Sequence, residues 1–367
     1  MHDIAHRAGV SIGTVSNVLN ETVAVRESAK QRVLEAIKVL GYQRSQLARG
    51  LRRDCTNMIG MIIPDITNPF FPALVRAAED VAYAHGYRLV LCNSDNDAKK
   101  EASYLTELQS YLPAGLLLIP AVDSQLREQP MRNGRVTPTV CIDRKPQGWK
   151  CDTVYAGNEN GAYAATLHLI DHGHRRIAVI GGPQHLANAR QRMRGFMRAL
   201  KEAGLPLPPA YLEIGQFDRA SGLEAGLRLL RPASRPTAIF AANDMMAMGA
   251  MVAVRELGLR CPEDVSIVGF DNLEIVELLQ PPLTTVKQPV YGLGVTAATR
   301  LLERISGATG AAKDIVLETE LMRRGSVARL SSSDAQRADA ETNRGVRRRP
   351  GSNRAGSESL VAALSLP

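Results

Sequence analysis

The sequence predicts a small all-α helix-turn-helix head followed by an α/β core of two doubly wound parallel sheets. Three observations carry this prediction. Asp3 to Asn20, DIAHRAGVSIGTVSNVLN, holds two short helical patterns joined by a glycine turn. From Asn57 onward, near-continuous apolar runs alternate with helical stretches. Those runs fall into two sets that divide near Ala156-Gly157-Asn158.

In the head, Ile4, Ala5 and Ala8 put small and apolar residues on one face of a first helix. Gly9 then ends it, because glycine takes the left-handed backbone of a tight helix exit. Ser11 is placed to cap a second helix, in which Val15, Val18 and Leu19 repeat at helical spacing. A pair of this kind lays its second helix in the major groove of DNA. A third helix is expected from about Glu27 to Leu40, with Val33, Leu34, Ile37 and Leu40 on one face and Gly41 just past its end. The head is assigned to 1–44 and a linker to 45–56. Within that linker, Ser45 to Arg53 is polar and short of core residues, a marginal helix on its own. Residues 1–57 carry nine Lys and Arg against five Asp and Glu, while the net charge of the whole chain is +8. Half of the excess therefore sits in the first sixth of the chain, which suits a polyanionic partner at that end.

The core is assigned to 57–329. The runs at 58–64, 87–93, 115–121, 138–143, 176–182, 237–243 and 265–271 read as strands buried on both faces. After Leu330 the chain turns to Ser, Arg, Ala, Gly and Asn without apolar period, so 330–367 reads as a disordered tail. No apolar run approaches the ~18 residues of a membrane span. The helix-turn-helix begins almost at Met1, so no signal peptide is expected and the predicted location is cytoplasmic. The five cysteines are scattered, which argues against structural zinc and against a disulfide framework. Gly181-Gly182-Pro183 is not a dinucleotide-binding loop, since proline deletes an amide that would face phosphate. His168, His172 and His174 lack a convincing further metal ligand and read as structural. No catalytic residue, cofactor or metal is predicted.

The head sequence resembles the opening of the lactose-repressor (LacI/GalR) family of bacterial transcription factors. Its pattern, close to D-V-A-x-x-A-G-V-S-x-x-T-V-S-x-x-L-N, is matched at nearly every fixed place, and the likeness runs to about Arg329. The resemblance implies a ligand-responsive repressor of a palindromic double-stranded operator, acting as a homodimer joined through its core. It places Ser11, Ile12, Gly13, Thr14, Ser16 and Asn17 at the DNA. Asn17 stands where arginine is common, and asparagine pairs with adenine rather than guanine. The resemblance makes Ser45 to Arg53 a hinge helix that folds on DNA, with Leu51 wedged into the minor groove. Gly50 should weaken that helix by ~0.5–1 kcal/mol. Family members carry further residues before the first helix, so the native start is expected upstream of Met1. For the core, the resemblance implies a type I periplasmic-binding-protein fold with crossovers near Gly157, Gln288 and Glu318. One subdomain then takes about 57–157 and 289–317, the other about 158–288 and 318–329.

Ligands of doubly wound sheets sit beyond the carboxyl ends of the strands. Reading past each strand gives Asn68, Phe70 and Phe71, then Asp143 and Arg144, then Arg190 and Arg192. Phe217, Asn243, Asp271 and Gln288 follow, with Asp244 read as the cap of the next helix. Each residue alone has an ordinary structural explanation. Together, aromatic faces with carboxylates, amides and guanidinium groups are what a polyhydroxylated sugar needs. The elements around Asn68, Phe70, Phe71, Asp143, Arg144, Arg192, Phe217, Asn243, Asp271 and Gln288 resemble those of bacterial ribose-binding proteins and ribose repressors. Gln216 departs, standing where aspartate is common. The resemblance thus implies a pentose effector, ribose first. Leu186 and Arg144 depart from the purine-binding branch of the family. The competing reading is a sugar-binding or sugar-modifying protein that does not act on DNA.

Overall fold

The computed structural model describes residues 1–20, 23–41, 56–121, 123–132 and 134–330. The expected hinge helix at 45–53, with Leu51 and Gly50, and the tail after Leu330 lie outside the described residues. The chain divides into two compact units, 1–56 and 57 onward.

Three helices build the first unit: α1 (His2–Ala8), α2 (Ile12–Asn20) and α3 (Glu27–Val39). Gly9 has φ 61, and its N–H reaches the carbonyls of Ala5 and His6. Ser11 caps α2, its Oγ accepting from Thr14 N at 3.1 Å. Met1 precedes α1 without a side-chain cap. Ile4, Ala5, Ala8, Val15, Val18, Val33 and Ala36 form the core. Arg32 Nε donates to Ala8 O at 3.0 Å and ties α3 to the end of α1. The inner face of α3 differs from the expected one. Val33 and Ala36 are buried and Ile37 packs against them, but Leu34 and Leu40 are 50% and 42% exposed. Leu34 projects about 100° around the helix from Val33, and so small a core buries only a narrow stripe.

The second unit begins with β1 (Met58–Ile63), α4 (Phe70–Ala84), β2 (Arg88–Asn93), α5 (Ala98–Ser110) and β3 (Gly115–Leu118). A short hairpin, β4 (Met131–Arg132) with β5 (Arg135–Val136), precedes β6 (Thr139–Ile142) and β7 (Asp152–Ala156). Next come α6 (Asn158–Asp171), β8 (Ile177–Gly181), α7 (Ala187–Glu202), β9 (Leu212–Ile214), α8 (Arg219–Leu230) and β10 (Ala238–Ala241). The last elements are α9 (Asp244–Glu256), β11 (Ser266–Asp271), β12 (Thr284–Lys287), α10 (Val290–Ile305), β13 (Asp314–Leu317) and β14 (Glu320–Met322).

These strands form two six-stranded sheets, in the orders β13-β7-β6-β3-β1-β2 and β14-β12-β11-β10-β8-β9. Every pairing within them is parallel except β12 with β14. All seven apolar runs became strands of these sheets. The chain passes from the first sheet to the second after β7, returns between β12 and α10, and leaves again between β13 and β14. Of the strands left out of the sequence reading, β9, β13 and β14 lie at sheet edges, while β7 and β12 are inner strands whose runs carry polar residues such as Asp152, Thr153, Thr284 and Thr285. β13 alternates exposed and half-buried residues, so it lacks the continuous apolar run of an inner strand. The helices cover both faces closely. A Cβ on Gly249 of α9 would lie 2.3 Å from Arg219 O at the start of α8, so only glycine admits that approach.

The cluster at 168–174 is structural. The His168 and His172 rings lie 4.2 Å apart, and His172 Nδ1 is 2.7 Å from His168 O. His174 joins Thr237 Oγ1 and Ala328 O, both at 3.1 Å, so it pins the segment before β10 to the end of the core. Burial lowers its pKa to about 4.

Candidate functional site

In the head, Val15 and Val18 turn α2 inward, which leaves its other faces outward. Ser11, Ile12 and Gly13 are exposed, and Thr14, Ser16 and Asn17 are half-buried. The first turn of α2 is thus presented outward, with Ser11 serving as the helix cap.

In the core, the ten residues whose surroundings resemble those of ribose-binding proteins line one cavity of about 160 Å³. That is small beside the roughly 300–1,000 Å³ of drug-sized ligand pockets. Asn68 leads into α4 and accepts from Phe70 N at 3.1 Å. Phe70 and Phe71 meet edge to face with centroids 5.2 Å apart. Phe217, with φ 64, lays its ring over Gly182, where a Cβ would come within 2.2 Å of Phe217 Cζ.

The polar side of the cavity is almost fully buried. Arg192, 3% exposed, donates from Nε to Asn158 Oδ1 at 2.8 Å and from a terminal nitrogen to Ala242 O at 2.6 Å. The same nitrogen is 3.5 Å from Asp271 Oδ1, and the guanidinium carbon stands 3.9 Å from the Phe270 ring centroid. Gln288 Nε2 also donates to Asp271 Oδ1, at 2.6 Å. Burial pushes the Asp271 carboxyl up to about 6, against the pull of Arg192 and Gln288. Asp143, with φ 63, accepts from Asn188 Nδ2 at 2.6 Å. Burial holds the Arg144 guanidinium below its ordinary range, although Asp143 and Glu101 favour its charge. Three buried atoms of these residues have no partner: Asp143 Oδ1, Arg144 Nε and Gln288 Oε1. A buried polar atom left unpaired is costly, so these three atoms have bonding capacity that the described residues leave unused.

Two readings of this region change. Asn243, not Asp244, caps α9: its Oδ1 accepts from Met246 N at 2.9 Å, while its amide donates to Phe217 O at 2.8 Å. Asp244 is fully buried and instead accepts from Leu273 N and Thr285 Oγ1, joining α9 to the ends of β11 and β12. Arg190 does not line the cavity; it donates to Gln184 O and His185 O and braces the loop before α7. Leu186 is buried and also stands outside the lining.

Asp65, Asn96, Asn188, Gln216 and Asp218 line the cavity as well. Two of them were within reach of the sequence. Asn188 stands four residues before Arg192 and so shares its helix face. Asn96 lies past the end of β2, a strand end that the reading passed over. Asp65 and Asp218 serve local turns, with Asp65 Oδ1 accepting from Thr67 N and Asp218 Oδ1 from Ser221 N. That role hides any second one.

A DNA-reading helix pair and a two-sheet core that encloses a small polar cavity define a ligand-responsive transcriptional regulator. Comparison with known proteins agrees. Residues 1–45 match the family described as bacterial regulatory proteins, lacI family, and residues 166–327 match a periplasmic binding protein-like domain. The chain is 37% identical to the HTH-type transcriptional repressor PurR of Aliivibrio salmonicida, over 89% of this chain and 98% of the relative. It is 39% identical to the ribose operon repressor of Escherichia coli K12, over 89% and 99%. Among solved structures it is similar to the lac repressor dimer bound to operator and the anti-inducer ONPF. That match has a TM-score of 0.75 and 26% identity, and it covers 89% of this chain and 98% of the other. The chain belongs to the lacI family of bacterial regulatory proteins and is a DNA-binding transcriptional regulator. No described helix is long and apolar enough to cross a membrane.

Proposed function

We propose that this regulator is a homodimeric repressor released from a palindromic operator by a pentose, ribose first. The observation that carries the ligand class is the set of unpartnered buried atoms on residues that line a small cavity: Asp143 Oδ1, Arg144 Nε and Gln288 Oε1. Two acceptors and a donor, flanked by the rings of Phe70, Phe71 and Phe217, suit hydroxyl groups on one edge of a sugar and C–H faces on its sides. A purine offers few hydroxyls to match them. The ribose operon repressor stands among the relatives beside PurR, and Arg144, which lines the cavity and departs from the purine-binding branch, favours the sugar.

In this reading Asn68, Phe70, Phe71, Asp143, Arg144, Arg192, Phe217, Asn243, Asp271 and Gln288 bind the effector. Ser11, Ile12, Gly13, Thr14, Ser16 and Asn17 meet the operator, and Leu51 enters the minor groove. The homodimer follows from the half-operator reach of one head and from the dimeric lac repressor relative. Sugar binding closes the two subdomains and separates the hinge segments. It shifts the equilibrium only by its differential affinity for the closed and DNA-bound states.

Calorimetry of the full chain against pentoses, hexoses, their phosphates and purines tests the assignment. Ribose heat that disappears in Asp271→Ala and Arg192→Ala is the expected result. Binding of a purine or a hexose with ribose silent would overturn the ligand and leave the regulator intact.

A further inference from the structure

Cys141 lies on β6, two residues before Asp143 of the cavity lining, and Cys151 stands immediately before β7. The two strands are parallel neighbours, with Val140 opposite Asp152 and Cys141 opposite Thr153. The cysteines therefore lie diagonally on one face of the sheet, and their sulfurs are 3.3 Å apart. Both are buried, in a cluster with Trp149. Between them runs the segment 142–150, which carries Asp143 and Arg144 of the sugar site. Asp143 sits there at φ 63, in the left-handed region that few residues other than glycine, asparagine and aspartate adopt.

We propose that Cys141 and Cys151 are a hydroperoxide-sensitive dithiol whose closure to a disulfide deforms the Asp143–Arg144 segment and weakens the effector site. The second part rests on the sugar-site reading; the first does not. Closure must bring the sulfurs from 3.3 Å to about 2.05 Å, and the two strands that bear them also anchor the segment. An ångström-scale change there falls on two groups that work only at hydrogen-bond distance.

The chemistry has a direction. Burial pushes the Cys141 thiol well up, whereas the hydrogen bond from Cys141 holds Cys151 below the ordinary thiol range. Cys151 is thus the attacking thiolate. Its sulfur attacks the peroxide: an S–O bond forms, the O–O bond breaks, and the departing oxygen leaves as water or alcohol with the proton Cys151 lost. The Cys141 sulfur then attacks the sulfenic acid. The S–S bond forms, the S–O bond breaks, and hydroxide leaves as water with the Cys141 proton. Two thiols and one hydroperoxide give one disulfide, with the peroxide reduced to two hydroxyl products.

The experiment treats the full reduced chain with hydrogen peroxide. Of its five cysteines, two should be lost to thiol titration after denaturation, and the peptide map should join Cys141 to Cys151. The fluorescence of Trp149, the single tryptophan, should fall, and hydrogen exchange across 142–150 should change. Ribose affinity should drop about tenfold or more. All five effects should reverse with dithiothreitol and be absent in Cys141→Ser and in Cys151→Ser. Five free thiols after treatment, or a cross-link elsewhere, would overturn the dithiol. A Cys141–Cys151 cross-link with unchanged exchange across 142–150 would overturn its effect on the site. A reduced chain silent to ribose would strike the sugar reading alone, since the peptide map and the exchange decide the dithiol without a ligand.

Discussion

Gly182 and Phe217 show how one residue pair sets the shape of the site. The Phe217 ring occupies the space that a Cβ at Gly182 would take, with Phe217 Cε1 only 2.5 Å from that position. Gly182→Ala should push the ring into the cavity while leaving the backbone in place, because Gly182 needs no left-handed conformation. Ribose affinity should fall by about tenfold or more with little change in melting temperature. Calorimetry with a melting curve checks this, and unchanged affinity would show that the ring yields without cost. In the head, Asn17→Ala should cost ~1–3 kcal/mol of operator binding and relax one base position. Binding to a set of duplexes varied at each position reads this out, and equal loss on every sequence would make Asn17 a backbone contact. The residues that sequence located best are those past strand ends, where the fold itself dictates position: Asp143, Asn243, Asp271 and Gln288. Those it missed, Asp65 and Asp218, already serve local turns. Asp244 misled because a carboxylate at a helix start looks like a cap whether or not it faces inward.

At the scale of elements, the seven apolar runs were legible as strands because burial on both faces leaves an uninterrupted run. β13 and β14 were not, because they sit at sheet edges, where one side of each strand has no neighbour. The outer face of α3 was misjudged for a related reason: the head is too small to cover every leucine that helical spacing offers. His174 joins the segment before β10 to Ala328, and its link carries a pH dependence. Its folded pKa of about 4 lies below the ordinary histidine value of 6.5 that holds in the unfolded chain. Above about 6.5 both states are neutral and nothing is lost. As pH falls from there toward about 4, the unfolded chain takes a proton that the folded chain refuses, so stability declines and then levels. The span corresponds to about 3 kcal/mol at most. Denaturant unfolding between pH 4 and 7.5 should show this decline in the wild type and a shallower one in His174→Gln. Identical slopes would remove His174 as the cause.

For the whole molecule, the division into units at 56 and 57 makes the core a candidate for independent folding. A fragment of residues 57–330 should sediment at twice its chain mass and bind no operator, while the full chain dimerises and binds it. A monomeric fragment would move the dimer contacts elsewhere. The crossovers between the sheets are where sequence alone ran out. Nothing in local periodicity says that a chain leaves one sheet and returns to it, and the family likeness supplied that part. The two sheets meet around the effector cavity, with Asp143 and Arg144 after β6 of one and Asp271 and Gln288 after β11 and β12 of the other. In the proposed function a ligand that bonds to both groups favours their approach, and release follows from it. The most direct test is fluorescence anisotropy of a palindromic operator duplex with the full chain, at several salt concentrations, with and without ribose. The account predicts binding that weakens steeply with salt and a further loss of roughly 5–150-fold at saturating ribose. Operator affinity that ribose leaves unchanged, or raises, would contradict it.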